Sequence, residues 1–467
     1  MRSGGRGSSS GCGGRAKAVK HSSVPVAGSA GIVPIYKRLP HGPHQLPRDA
    51  VVHHQRTRIH GAMIEAVAHV GYERTSVKQV IGLAGVSRRS FYELFANKQE
   101  CFLATFDVIA GRQIQHMTNT YLASDGGLAE RLGAVYEAFV EEASQNRKAA
   151  TLALLDTQTA GAPGTLRLRR ATTICERMLA RSFADSADAA SLPAPIVRGI
   201  TGGLHGAIGR ALSQAEPSQR GLSDEMLRWT LSFQTPGAAR MDELMSARLR
   251  RRMREISLAS AGVSEPAQRD ELAGDERGRL LHEVLRLAAR HDYRELSGPQ
   301  IADEARVPID AFLEHFASRD ECYLAALEMI GDQLLSIAGD AELGSGEWPV
   351  AVRRVLAALL SHLGAHPLHA RTIAQEAFAA GSEPVRRTLV LADRIAALLT
   401  EAAPAAAGSA FAVQGIAGAL MHTVRCQVVG GRVEMLGVLS DHLSYLVLAP
   451  FIGAEAALEA ICEDVAA

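Results

Sequence analysis

The sequence predicts an all-α protein made of two similar units in tandem. Apolar residues recur with a helical period along most of the chain, and several of these segments begin at capping residues. Aromatic residues are only 5% of the 467 positions while alanine is abundant, which favours helices packed closely through small side chains. In addition, residues 59–106 recur as residues 280–327 without a gap.

Residues 1–50 are predicted to be a disordered basic tail. Residues 1–58 hold ten Lys or Arg and one acid, so they carry a net charge of +9 in a chain whose total is zero. This asymmetry concentrates the attraction for phosphate at one end of the molecule. Residues 38–48 contain three prolines, and two interpretations of them stay open: an arm that reaches the minor groove of DNA, or a solvated tail.

Residues 51–107, the first head, are predicted to be a helix-turn-helix domain. A first helix ends at Gly71, a residue that suits the position just after a helix. The second helix begins at a capping box made by Ser76 and Gln79. The sequence Ala-Gly-Val-Ser at residues 84–87 then breaks it, because the glycine can take a positive φ and the serine can cap the next helix.

The helix that follows this turn has two different faces. Phe91 and Phe95 are four residues apart and are predicted to point inward. Arg88, Arg89 and Tyr92 lie on another side, where they are free to touch a ligand. This pattern predicts a helix shaped for the DNA major groove. The alternative is a buried helix pair with solvated arginines, but three separate helix-turn-helix requirements coincide here.

The stretch from about Arg56 to Asp107 resembles the TetR family of bacterial transcriptional regulators. The motif Phe-Tyr-x-x-Phe-x-x-Lys directly after Ala-Gly-Val-Ser carries the resemblance. It implies that Tyr92 and Lys98 contact phosphates and that the start of the helix after the Ala-Gly-Val-Ser turn reads bases. Lys98 also lies at the start of a long helix, beside the positive end of its dipole. The expected DNA-binding residues are Thr75, Ser76, Ser87, Arg88, Arg89, Ser90, Tyr92 and Lys98.

Helical periodicity continues after the first head. The family resemblance implies that residues 108–236 form a helical ligand-binding and dimerisation domain. Residues 237–276 are predicted to be a strongly basic helix and a polar linker. Fourteen of the 48 aligned positions are identical between the repeats, so residues 277–328 are predicted to be a second TetR-like head. Residues 329–467 would then be a second helical ligand-binding and dimerisation domain.

The second head is predicted to keep the fold and to lose the DNA chemistry. At the aligned positions, Arg306 replaces Gly85, Pro308 replaces Ser87, and Ile309 and Asp310 replace Arg88 and Arg89. Leu313 replaces Tyr92, and Arg319 replaces Lys98. An acidic group at the tip of a recognition helix is repelled by phosphate. A weak or altered reader of DNA is the alternative interpretation of this head.

Three other groups of residues admit a functional interpretation and a plain one. The histidines at 362, 366 and 369, with Glu376, are either metal ligands or ordinary satisfied side chains. Cys101 and Cys322 occupy equivalent positions on apolar helix faces and are expected to be core residues rather than redox sensors. The arginines at 167, 169 and 170 either hold an anionic effector or form a solvated face.

We expect no enzymatic activity and no cofactor, because no nucleophile–base cluster, phosphate loop or carboxylate pair occurs in a convincing context. Six scattered cysteines without a CxxC pair fit a reducing, cytoplasmic setting. No apolar run reaches the length of about 18 residues that a membrane helix needs. The basic N-terminus has no apolar segment typical of a secretory signal.

The resemblance implies a regulator of double-stranded DNA, by default a repressor that a small-molecule effector releases through a population shift. The paired helices at about 195–233 and 411–448 resemble the four-helix dimer interface of the family. The chain is therefore expected to be a homodimer or an intrachain pseudo-dimer. Two alternatives stay open: a ligand-binding or scaffold protein that acts through protein partners, and a nonspecific nucleoid protein that binds through its basic tail.

Overall fold

The computed structural model describes residues 47–186, 191–213, 221–235, 275–341, 347–404 and 410–462, together with six isolated positions between 243 and 254. Every regular element within these ranges is a helix, and none of the described residues forms a strand. The all-α prediction is therefore confirmed. The predicted tail up to residue 46, and most of the basic helix and linker between residues 236 and 274, lie outside the described residues.

The first half, residues 47–235 as described, is a succession of α-helices with one 3₁₀ turn at Asp156–Ala160. The α-helices are α1 Arg48–Arg74, α2 Val77–Ala84, α3 Arg88–Leu94, α4 Lys98–Ala123, α5 Leu128–Gln145, α6 Arg147–Leu154, α7 Ala162–Ala184, α8 Ala194–Ser213 and α9 Leu222–Leu231.

The second half, residues 275–462 as described, follows a closely similar order of long and short helices. Its α-helices are α10 Glu276–Ala288, α11 Gly298–Glu304, α12 Ile309–His315, α13 Arg319–Asp340, α14 Trp348–Ala365, α15 Pro367–Arg371, α16 Ala377–Ala380, α17 Ser382–Thr400, α18 Ala410–Val429, α19 Ser440–Ile452 and α20 Ala454–Cys462. Short 3₁₀ turns span Tyr293–Glu295 and Val433–Leu439, and a π-helical turn spans Thr372–Glu376.

Helix α1 does not stop where the sequence predicted. Gly71 has the positive φ of 77° that its glycine identity suggested, but the chain resumes helical hydrogen bonding and reaches Arg74. The helix is therefore kinked at Gly71 rather than ended there, because a residue without a Cβ can take this conformation at little cost. The kink brings the last turn of α1 over the start of α4.

The two halves meet through helices α8 and α18, whose backbones approach closely at glycines. A Cβ placed on Gly206 would lie 2.7 Å from the Cα of Gly418, and a Cβ on Gly418 would lie 2.6 Å from the carbonyl oxygen of Gly202. Only glycine fits at such distances. Gly202 faces His422. Gly206 lies four residues after Gly202, and His422 lies four residues after Gly418, so the two contacts are related by the same spacing on both helices. The crossing is therefore close to symmetric.

Helices α9 and α19 flank this crossing and complete a buried four-helix contact. Trp229 packs against Gly203 and Gly415, one from each half. The Tyr445 hydroxyl donates a hydrogen bond of 3.0 Å to the carbonyl oxygen of Phe233. Arg210 of α8 also forms an ion pair with Asp393 of α17. Apolar, polar and charged contacts thus all cross between the halves.

One described segment, Val433–Ile452, is long and apolar enough to cross a membrane, which the sequence analysis had not expected. About two thirds of its apolar window (67%) is buried inside the protein. Most of its side chains are core residues in this fold; Tyr445 and Leu448, for example, are fully buried.

Candidate nucleic-acid interface

The turn of the first head is fixed by local hydrogen bonds. The backbone N–H of Ser76 donates to Gln79 Oε1 at 2.8 Å, and the N–H of Gln79 donates to Ser76 Oγ at 3.3 Å, so the predicted capping box is present. Gly85 has φ 61° and ψ 37°, which is the left-handed conformation. Ser87 accepts a hydrogen bond of 3.0 Å from the N–H of Ser90 and thereby caps α3.

Helix α3 buries one face and exposes the other. Phe91 is fully buried and stacks against Phe95 with ring centroids 5.7 Å apart. On the opposite side the guanidinium of Arg88 lies 5.6 Å from the centre of the Tyr92 ring. Arg89 forms an exposed ion pair of 2.9 Å with Glu93 one turn later. The arrangement presents two guanidinium groups and a phenol on one exposed surface, where they can donate hydrogen bonds to an anionic ligand.

Two further predicted site residues, Thr75 and Lys98, also have partners inside the first head. Thr75 is buried, and its hydroxyl donates a hydrogen bond of 2.7 Å to the carbonyl oxygen of Gly71. The ammonium of Lys98 donates to the carbonyl oxygens of Tyr72 at 3.0 Å and Glu73 at 3.3 Å. Both side chains therefore brace the kinked end of α1 in this conformation.

Lys98 is held close to an aromatic ring and to a second cation. Its Nζ lies 4.3 Å from the centre of the Tyr72 ring. Burial, and after it the nearby Arg294 guanidinium, lower the pKa of Lys98. Arg294 belongs to the second half and also donates a hydrogen bond of 3.0 Å to the carbonyl oxygen of Thr159. The end of α1 is thus a place where the two halves of the chain touch.

The second half contains a matching turn with different side chains. Arg306, which stands where the first head has Gly85, has a φ of 54° and is the only non-glycine residue with positive φ among those described. Pro308 provides no side-chain cap for α12. The strain and the missing cap that the sequence predicted are both present.

Arg319 differs from the expectation drawn for it. The replacement of Lys98 by Arg319 was interpreted as the loss of a phosphate contact. Instead, Nη1 of Arg319 donates to the carbonyl oxygens of Tyr293 at 3.0 Å and Leu296 at 2.8 Å. This is the same internal brace that Lys98 provides, so the substitution preserves a structural role.

The exposed surface of α12 is apolar and acidic. Ile309 and Leu313 are large apolar residues that are 41% and 57% exposed, and the exposed Asp310 lies between them in sequence. No basic side chain of α12 replaces Arg88 or Arg89, since the helix reads Ile-Asp-Ala-Phe-Leu-Glu-His. This surface lacks the donors that the first head presents.

A buried polar pair in the first head was missed by the sequence analysis. Nδ1 of His60 lies 2.8 Å from Oγ1 of Thr105, deep between α1 and α4. Burial, aided by the Arg56 charge, lowers the pKa of His60 to about 4. The aligned positions of the second head hold Leu281 and Ala326, which cannot form this bond. The only sequence signal was a histidine within an apolar stripe.

The histidine group is brought together only in part. Nε2 of His362 lies 3.3 Å from Nδ1 of His369, while His366 stacks on His362 with ring centroids 4.2 Å apart. Glu376 does not join them, because its carboxylate pairs with Arg371 at 2.9 Å. The metal interpretation that included this carboxylate therefore lacks its acidic ligand.

The cysteine and arginine candidates behave as ordinary structural residues. Cys101 and Cys322 are fully buried, and burial raises the pKa of both thiols to about 12. Arg167 forms an ion pair with Asp107, and Arg169 forms one with Glu176. Charged partners within the protein thus occupy two of the three arginines.

An all-helical chain with a capped turn and an exposed basic recognition helix defines a helix-turn-helix protein. Residues 62–105 match the family model of bacterial regulatory proteins of the tetR family. This match lies within the first head and confirms the resemblance to the TetR family that the sequence predicts for this stretch.

Several solved structures are similar to parts of this chain. The transcriptional regulator FadR from Bacillus subtilis, solved in complex with stearoyl-CoA, is 18% identical with a TM-score of 0.33, and the match covers 37% of this chain and 96% of that one. The fatty acid degradation regulator FadR from Bacillus halodurans is 16% identical with a TM-score of 0.33, and the match covers 37% of this chain and 96% of that one. A TetR family transcription regulator from Marinobacter aquaeolei is 15% identical with a TM-score of 0.30, and the match covers 39% of this chain and 96% of that one. None of the curated proteins compared matches the chain.

Proposed function

We propose that the protein is a sequence-specific transcriptional regulator that binds double-stranded DNA through α3 of the first head. The observation that carries this proposal is the exposed, basic face of a helix that is fixed by the Ser76 and Ser87 caps. A recognition helix must enter the major groove as a rigid element with donors on its outer face. Helix α3 satisfies both requirements, and α12 satisfies only the first.

Each site residue has a distinct proposed role. Arg88, Arg89 and Ser90, at the start of α3, would face base edges, where guanidinium groups pair well with guanine. Ser76 and Tyr92 would hold the DNA backbone. Thr75, Ser76, Ser87 and Lys98 also make internal hydrogen bonds, so each of them positions the head as well. Lys98 retains one further N–H for a phosphate, because an ammonium group has three donors.

We further propose that the chain is a tandem of two TetR-like units joined as an intrachain pseudo-dimer. The units would span residues 51–236 and 277–467, each with a head of about 50 residues and a helical ligand-binding and dimerisation domain. The near-symmetric crossing of α8 and α18, flanked by α9 and α19, supports this arrangement. The second head would keep the fold without reading DNA.

Repression relieved by an effector is the mechanism we favour. A cavity of about 60 Å³ lies inside the second helical domain, between α13, α14, α17 and α18. Its lining is apolar throughout and includes Leu334, Leu359, Ile395 and Met421. We propose that an apolar effector enlarges this cavity and shifts the population of head positions. The lining gives no polar group that would define the effector more closely.

Selection of bound sequences from random duplex DNA by the full-length protein, at near-physiological salt, tests the proposal. A single enriched half-site would support one reading head per chain acting alone. An inverted repeat with half-site centres about 10 base pairs apart, or a multiple of that spacing, would mean that two chains associate on DNA. If no sequence were enriched, the specific-regulator proposal would fail.

A second candidate function belongs to the second head. Ile309 and Leu313 are exposed on α12 where a reading head carries arginine and tyrosine. An apolar tip of this kind favours a protein partner, in line with the scaffold alternative. Two results together would favour this candidate over DNA recognition. The DNA selection would enrich no sequence, and a protein partner that binds the wild-type chain would fail to bind an Ile309→Ser/Leu313→Ser variant.

A further inference from the structure

A buried cluster at the junction of the two halves brings together Glu176, His422 and Cys426. Glu176 and His422 are 246 residues apart in the sequence. Glu176 is on α7 of the first half, whereas His422 and Cys426 lie one turn apart on α18 of the second half. Nε2 of His422 is 3.2 Å from Oε1 of Glu176 and 3.4 Å from Sγ of Cys426. All three donor atoms lie within 4.8 Å of one another.

Burial separates this cluster from ordinary surface charges. The exposed fractions of Glu176, His422 and Cys426 are 9%, 7% and 5%. Among the residues that the structure describes, this is the one group of three or more His, Cys, Asp or Glu side chains whose donor atoms converge in this way. Buried charged groups either pair with one another or coordinate a metal, so this cluster requires one of these two explanations.

The donor set has a recognisable coordination chemistry. Zinc binds thiolate sulfur, imidazole nitrogen and carboxylate oxygen, and sites with three protein ligands leave a fourth position open. The His422–Cys426 spacing of four residues puts both ligands on one face of a helix. We propose that Glu176, His422 and Cys426 form a three-ligand site for a zinc-like, thiol-binding transition-metal ion that links the two halves of the chain.

The charges around the cluster define the fourth ligand. A divalent ion is balanced by the thiolate of Cys426 and the carboxylate of Glu176. Arg169 donates a hydrogen bond of 2.7 Å to Oε1 of Glu176, and Nε of Arg198 lies 4.0 Å from Oε2. These two guanidinium groups leave the site positive, so the fourth ligand is an anion such as hydroxide.

Arg198, which lies beside the carboxylate of Glu176, has a donor that such an anion could engage. Its Nε is buried and has no hydrogen-bond partner among the described residues. A buried donor without a partner is costly, and an anion bound at the fourth metal position would provide one. Arg169 would meanwhile orient the carboxylate, as outer-shell partners of metal ligands commonly do.

The competing explanation is an ion pair without a metal, in which His422 shares its proton between Glu176 and Cys426. The two explanations differ in one measurable respect. An ion pair gives no stoichiometric metal binding, whereas a metal site binds one equivalent through sulfur. Because the ligands come from both halves, metal binding also stabilises their contact and raises the melting temperature.

Cobalt titration of the full-length, chelator-treated and reduced protein is the decisive experiment. We expect one equivalent of Co²⁺ to bind, with the near-ultraviolet charge-transfer absorption of a thiolate ligand, and one equivalent of Zn²⁺ to displace it. Cys426→Ser and Glu176→Gln should each weaken Zn²⁺ binding beyond the roughly 10- to 100-fold loss typical of an outer-shell substitution. Zn²⁺ should raise the melting temperature of the wild-type protein and leave that of Cys426→Ser unchanged.

Cys175→Ser is the matched control, because Cys175 adjoins Glu176 in sequence but is not one of the converging ligands. It should retain the charge-transfer band. Glu176→Gln keeps the sulfur and the shape of the site, so it tests the proposal if Cys426→Ser does not fold. The absence of Co²⁺ binding, or a band that persists in Cys426→Ser, would overturn the metal site in favour of the ion pair. Neither result would affect the DNA-binding proposal.

Discussion

The two heads share their internal structure and differ at their tips. In both, the first residue of a long helix donates a hydrogen bond to the carbonyl oxygen of the aligned tyrosine: Lys98 of α4 to Tyr72, and Arg319 of α13 to Tyr293. In both, an arginine from the first helix covers the second buried phenylalanine, at 5.5 Å for Arg56 and 5.6 Å for Arg277. The exposed residues of the recognition helix, in contrast, change from basic to apolar and acidic.

The comparison separates the residues that a head needs to fold from those that we propose bind DNA. The buried aromatic pair has ring centroids 5.7 Å apart in the first head and 6.0 Å in the second, with similar tilts. Stability depends on such contacts. Arg88, Arg89 and Tyr92 are exposed and contribute little to the core, so the second head keeps its fold without them and lacks only the side chains that we propose bind DNA.

The largest expected effect concerns the basic pair of the first head. Arg88→Ala and Arg89→Ala should each weaken binding to the selected sequence by roughly 1–3 kcal/mol, since each removes a base contact. The loss should be greatest for the selected sequence and smaller for random DNA. Fluorescence anisotropy with labelled duplexes at several salt concentrations measures both quantities.

Arg228→Ala is the control for this pair, because Arg228 is an exposed arginine on α9 that pairs with Glu225, far from the first head in sequence. It should leave the affinity unchanged. Equal losses for Arg228→Ala and Arg88→Ala would indicate a nonspecific effect of charge and would count against base reading by α3.

An effect of comparable size is a difference in acid stability between the heads. The pKa of His60 is lowered to about 4 in the folded first head, against an ordinary value of 6.5. The unfolded head therefore binds the proton more tightly, so stability is constant above about pH 6.5 and falls as the pH decreases towards 4. The loss over this range is about 3 kcal/mol.

Hydrogen exchange resolved by helix measures this effect, because a chain of this size does not unfold in two states. Amides of α1 and α4 should lose protection at low pH more steeply than those of α10 and α13, which hold Leu281 and Ala326 at the aligned positions. A His60→Leu/Thr105→Ala variant should remove the difference. An unchanged pH profile in that variant would show that another group titrates.

A smaller effect is expected at the turn. Arg306→Gly should stabilise the second head by about 1 kcal/mol, because glycine takes the φ of 54° without the penalty that a Cβ imposes. Gly85→Ala should destabilise the first head by a similar amount. Protection of the amides in α2 and α11 reports both changes, and effects of the same sign would contradict the strained-turn explanation.

The smallest effect is expected from the pairs one turn apart on the recognition helices. Arg89 and Glu93 attract each other, whereas Asp310 and Glu314 at the aligned positions repel. Glu93→Ala should therefore destabilise α3, and Glu314→Ala should stabilise α12, each by about 0.2–0.5 kcal/mol. Exchange rates in low salt compare the two helices, and the difference should shrink in high salt.

Local features of the fold were predictable because their causes lie within a few residues. The caps at Ser76, Ser87 and Asn97 and their second-head counterparts Ser297 and Ser318 all accept the expected backbone hydrogen bonds. The positive φ at Gly71, Gly85 and Arg306 follows from the same local logic. Helix α1 still continued past its glycine, since Thr75 and Lys98 hold the residues beyond it.

The long-range contacts were not predictable from one sequence. His60 and Thr105 are 45 residues apart, and Glu176 and His422 are 246 residues apart. No periodicity links such positions, because their proximity is a product of how the helices pack. The internal brace made by Lys98 was missed for the same reason, and a family motif had suggested a phosphate contact instead.

The most direct test of a single reading head is to repeat the DNA selection with matched variants of the full-length protein. One variant carries Arg88→Ala/Arg89→Ala in the first head, and the other carries Ile309→Ala/Asp310→Ala in the second. We predict that the enriched sequence disappears with the first variant and persists unchanged with the second. An enriched sequence that survives the first variant, or that depends on the second, would contradict the assignment of DNA reading to α3.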